Sequence, residues 1–176
     1  MKRHVFILLA IILFFSGCTK KEATRTSGID TIDNTTLYST TYYQYGFYFP
    51  GAKLVATTTT PGPDITLYVN IDNGTPRLTL QSDNLNPSFF KVGDYSDETT
   101  AQSAFDNLKT VSVTQWADMA DPVTANQVWI YKSGTENYTK IRIVSIVNET
   151  RQSVAYGECK FQWVYQPNGS LTFPGK

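Results

Sequence analysis

From Tyr42 onward, apolar and polar side chains alternate with the period of a β-strand. Tyr43, Tyr45, Phe47 and Phe49 fall on one strand face, and Pro50-Gly51 ends the run. Ile65, Leu67, Val69 and Ile71 alternate with Thr66, Tyr68 and Asn70. Asp72-Asn73-Gly74 then predicts a tight hairpin turn, with Leu78 and Leu80 on the return strand. Near the C-terminus, Val128 and Ile130 lie opposite Trp129 and Tyr131. Ile141 and Ile143 share a face of the next strand, with Lys140 and Arg142 on the other. Cys159, Phe161, Trp163 and Tyr165 alternate with Lys160, Gln162, Val164 and Gln166. These three strands predict a meander with one apolar face. The period changes once. Ala101, Ala104, Phe105 and Leu108 recur at i, i+3, i+4 and i+7, which predicts a helix from Glu98 to Lys109 capped by Ser96 or Asp97. The predicted fold class is all-β, an antiparallel sheet or sandwich with one short helix.

The N-terminus follows a different rule. Lys2 and Arg3 precede an unbroken apolar run from Val5 to Phe15, and Ser16-Gly17 then lead to Cys18. The run is about half the roughly 20 residues that a helix needs to span a bilayer. The segment resembles a bacterial lipoprotein signal peptide, with Phe15 where the lipobox usually has Leu. That resemblance implies removal of residues 1–17 and lipidation of Cys18 by diacylglyceryl and acyl (palmitate-type) chains, which together anchor firmly to a membrane. Thr19 stands where an Asp would resemble an inner-membrane retention signal, so the outer membrane is expected, with the periplasmic and surface-facing sides both open.

Residues 18–41 are polar and aperiodic, and are expected to be a flexible tether to a single β-rich domain over 42–176. Asp30-Thr31-Ile32 resembles the O-glycosylation acceptor of Bacteroidetes, with Thr31 as the modified residue.

Composition narrows the chemistry. The chain has 15 basic and 15 acidic side chains, and loss of Lys2 and Arg3 leaves it acidic by two. No basic patch indicates a nucleic-acid partner. The only histidine, His4, lies in the leader, so the mature chain lacks the usual catalytic base and commonest metal ligand. With Cys18 lipidated, Cys159 has no disulfide partner and reads as a small buried hydrophobe. No zinc spacing, calcium loop, phosphate loop or Gly-x-Ser-x-Gly elbow occurs, so no metal site and no enzyme is expected. Aromatic residues make up 14% of the chain, and the run from Tyr42 to Phe49 holds six of them. Amphipathic rings of this kind, Tyr43 and Tyr45 among them, can stack a flat ligand.

The segments Tyr131-Lys132, Tyr138-Thr139-Lys140-Ile141-Arg142-Ile143 and Phe161-Gln162-Trp163-Val164-Tyr165-Gln166-Pro167-Asn168-Gly169-Ser170 resemble the closing strands of HmuY-type lipoproteins of Bacteroidetes. A helix followed by a Trp-containing connector, here Trp116, also fits that pattern. The resemblance implies an outer-membrane all-β lipoprotein that binds haem through paired histidines or methionines. Here a bis-His site is impossible, and Met119 is the one mature methionine, leaving Tyr or Cys159 as its only partners. The expected function is therefore a membrane-anchored ligand-binding module, for haem or another flat small molecule, with Met119, Trp116, Tyr43 and Tyr45 as candidate contacts. Ligand capture of this kind would pair it with a TonB-dependent receptor. The alternative is a structural or surface-assembly lipoprotein with no small-molecule ligand.

Overall fold

A computed structural model describes residues 25–38, 42–82, 84 and 86–174; at 36–38, 42 and 43 it describes the backbone alone. The elements in chain order are β1 (Ser27–Asp33), β2 (Thr36–Tyr38), β3 (Tyr42–Tyr48), β4 (Lys53–Ala56), β5 (Ile65–Asp72), β6 (Thr75–Ser82) and β7 (Phe89–Asp94). There follow α1 (Glu98–Asn107), β8 (Met119–Ala120), β9 (Gln127–Lys132), β10 (Tyr138–Arg151) and β11 (Val154–Gln166). One sheet runs β1-β11-β10-β9-β7. The other runs β2-β3-β5-β6-β8, with β4 also paired to β3. All the pairings are antiparallel. The chain is thus a two-sheet, all-β sandwich with one short helix.

Aromatic side chains fill the space between the sheets. Phe47 and Phe49 of the second sheet meet Phe161 and Trp163 of the first, with ring centroids 5.4 Å apart for Phe47–Phe161 and 5.6 Å for Phe49–Trp163. The tilted and edge-on arrangements are those that ring quadrupoles favour. The expected turn forms at Asn73-Gly74. Asp72 pairs with Thr75, and both central residues have positive φ (49° and 81°), the left-handed backbone that such a two-residue hairpin requires.

The C-terminal meander extends at both sides, with β1 beside β11 and β7 beside β9. Its second face is not solvated as the alternation implies. Register places Val128 opposite Arg142 and Ile130 opposite Lys140, on the face away from Trp129 and Ile141, yet all four of these outer residues are buried. The cause is α1, which packs on β9 and β10 and buries Ala101 and Phe105 there. Its N-terminus is capped as expected by Asp97, whose carboxylate accepts a hydrogen bond from Thr100 N at 2.8 Å. At its other end Lys140 Nζ donates to Phe105 O at 2.7 Å and to Leu108 O at 3.2 Å, so a strand lysine satisfies the helix's terminal carbonyls.

The expected tether over residues 18–41 requires correction. Residues 18–24 lie outside the described residues, but β1 and β2 both fall within the proposed span. β1 pairs with β11 along its whole length and inserts Ile32 into the core. An edge strand needs only one well-buried side chain to be held. Ile29 faces outward, so no period-two signal marks the segment in the sequence. The first sheet therefore includes residues from Ser27 onward, inside the span expected to be a tether.

Candidate functional site

The residues expected to contact a ligand do not converge. Trp116 is half-buried, stacked on Tyr138 at 6.0 Å, with Lys132 Nζ 5.0 Å from its ring centre. It lines a cavity of about 520 Å³ together with Asn86, Pro87, Lys132 and Glu136. Met119 lies elsewhere, on the short β8. It is 42% exposed, its Sδ accepts a hydrogen bond from Gln81 Nε2 at 3.6 Å, and it borders neither that cavity nor those described below. Tyr43 pairs with Leu37 through the backbone, and its side chain lies outside the described ones. Thr31 is exposed on β1. Cys18 and the leader lie outside the described residues.

This arrangement does not fit haem. Met119 lines none of these cavities, and the described residues bring neither Trp116 nor Tyr45 to the same cavity as it. Cys159 is fully buried among core side chains, which leaves no room beside it for a haem, and burial, with Glu158 nearby, pushes its thiol up to about 12. Among the described residues, no cluster of three His, Cys, Asp or Glu side chains is arranged to hold a metal.

Tyr45 does occupy a cleft. Tyr45 and Phe47 on β3, and Phe49 just past its end, share the face toward the other sheet. Phe47 and Phe49 are roofed by Phe161 and Trp163. Tyr45 lies farther along the strand and is 40% exposed. Leu54, paired with Phe47 but one strand farther out on β4, is 50% exposed. The second sheet thus reaches past the β1 edge of the first, and its inner face is uncovered there. Two adjoining cavities share Tyr45 and Leu54. One, of about 250 Å³, runs under β1 along Thr31, Ile32, Asp33 and Thr35. The other, of about 440 Å³, runs over the β3–β4 hairpin along Tyr48, Lys53 and the Thr59–Pro61 loop. Large apolar side chains exposed together beside hydroxyl, carboxylate and ammonium groups are the composition of a binding cleft.

The cleft can take an apolar or aromatic group against Tyr45 and Leu54, with Lys53 and Asp33 at its margins. Sequence reasoning found Tyr45 through strand alternation. It missed Leu54, because Lys53-Leu54-Val55-Ala56 carries no pattern that tells the exposed residue from its neighbours. By fold the chain is an all-β sandwich, and its candidate site is an open cleft beside one sheet edge. No protein-family model matches it, and no curated protein matches it either.

Proposed function

We propose that this protein is a lipid-anchored binding module whose ligand enters the cleft lined by Tyr45 and Leu54. The observation that carries the reading is the pair of large exposed side chains on the inner face of a sandwich sheet, where burial is the rule. The anchor is Cys18, and the leader's pattern supports an outer-membrane address. Eight residues separate Cys18 from Ser27. At about 3.5 Å per residue they reach at most roughly 30 Å, so the start of β1 stays near the bilayer, and the cleft opens at the other end of that strand, roughly 15–20 Å farther along it. Nothing in the site calls for catalysis.

The test combines location with uptake. In cells, the full chain should fractionate with membranes and incorporate labelled palmitate, and Cys18→Ala should do neither. The full chain in detergent should bind the flat aromatic probe anilinonaphthalene sulfonate, measured against a micelle blank. Leu54→Lys and Tyr45→Ala should each lower that binding by about tenfold. Equal probe binding by all three chains contradicts the cleft, and a membrane-bound Cys18→Ala contradicts the anchor. The surface-assembly alternative gains support from one observation, the open backbone edge of β1.

A further inference from the structure

Two hydrogen bonds set the phase of β1 against β11: Tyr165 N donates to Thr26 O at 2.7 Å, and Asn34 N donates to Gly157 O at 3.2 Å. In the register that pairs Ser27 with Val164 and Asp33 with Glu158, Gly28, Asp30 and Ile32 therefore turn their backbone groups toward β11. Ser27, Ile29, Thr31 and Asp33 turn theirs outward, and β1 has no strand beyond it among the described residues. Natural edges are blunted by proline, by charged side chains, lysine above all, or by a bulge; the charges of β1 are Asp30, which Arg25 and Trp163 engage, and Asp33, which selects a basic partner rather than closing the edge. β1 has no proline or lysine, and its register runs without a shift, whereas β7–β9 and β10–β11 both contain irregularities. The outward edge also borders the smaller cavity, so a strand added there would lie over Tyr45 and Leu54.

We infer that β1 is an acceptor edge for an extended segment of another protein, bound by strand addition with one side chain seated in the Tyr45–Leu54 cleft. The inference rests on the binding-module reading and names its ligand class. Backbone hydrogen bonds to Ile29, Thr31 and Asp33 supply affinity, and alternate side chains supply specificity. Charge specifies one end. Asp33 lies directly opposite Glu158, like charges with no salt-bridge partner among the described residues. Direct opposition of like charges disfavours pairing, so a basic residue on the incoming strand beside Asp33 relieves it. At the other end, an aliphatic residue covers Ile29, which is 50% exposed.

The probe is a labelled, end-blocked peptide, Lys-Val-Thr-Val-Val-Thr-Thr, antiparallel to β1 with its lysine opposite Asp33. Fluorescence anisotropy with the full chain in detergent should show saturable binding. Starting the peptide with aspartate instead of lysine should weaken it by about tenfold. Thr31→Pro removes an outward N–H and leaves the β1–β11 ladder intact, so it should abolish binding while the melting temperature holds. Leu54→Lys, at an exposed position, should weaken binding by about tenfold as an independent variant. Equal binding by the parent, Thr31→Pro and Leu54→Lys chains overturns the inference. So does a β1-mediated dimer of the chain that excludes the peptide. Absence of peptide binding with anilinonaphthalene sulfonate uptake retained overturns strand addition and leaves the cleft standing; absence of both removes the two together.

Discussion

At the scale of single residues, environment decides chemistry more than residue type does. Cys159 is chemically a nucleophile, but it sits between core side chains and its thiol is pushed up to about 12, chiefly by desolvation. In the native chain it should resist a thiol reagent between pH 7 and 9 and react only on unfolding; mass mapping of the labelled peptide measures this. Asp121 is a second case. Partial burial raises its carboxyl, but hydrogen bonds from Arg77 and Thr79 and the Arg77 charge outweigh that and hold it below the ordinary value of 3.8. Asp94 is also held low, first by Gln127 and then, against partial burial, by Lys91. Because the folded values are the lower ones, both groups contribute stability above the ordinary carboxylate range. That stability is lost as pH falls through the depressed folded values. The melting temperature should therefore drop below about pH 4, and drop less steeply in Asp121→Asn.

At the scale of elements, legibility in the sequence depended on how each element is buried. The α1 stripe, the Asp97 cap, the Asn73-Gly74 turn and the β9–β10–β11 meander were readable, because each depends on local periodicity or backbone conformation. β1 was not, since pairing with a strand more than a hundred residues away supplies what its own side chains lack. Lys140 and Arg142 misled for the converse reason: alternation assigns them a polar face, and α1 covers it. Half of the site was readable too. Alternation marks Tyr45, while the exposure of Tyr45 and Leu54 follows from the offset between two sheets, which no local pattern encodes.

Two substitutions test the element account. Ile32→Ala should cost about 2–5 kcal/mol in denaturant unfolding, as for a core aliphatic; a tether residue would cost nothing. Gly157 sits where β11 approaches the other sheet, and a Cβ there would lie 2.6 Å from Val69 Cγ2. Gly157→Val should therefore destabilise by about 1–3 kcal/mol through overpacking.

At the scale of the whole molecule, the sandwich leaves part of one sheet's inner face uncovered, at Tyr45 and Leu54. The open side is where β1 ends the first sheet short of β3 and β4, and β1 is also the strand nearest the proposed anchor. We propose that this edge and the cleft beside it, tethered through Cys18, capture their ligand at the membrane. The most direct measurement of that claim is residue-resolved amide hydrogen exchange. It compares the full chain in membranes from cells that make it with the full chain purified in detergent. The account predicts slow exchange at Gly28, Asp30 and Ile32 in both preparations. Ile29, Thr31 and Asp33 should exchange fast in detergent and slowly in the membranes. Equally fast exchange at those three amides in both preparations would contradict it.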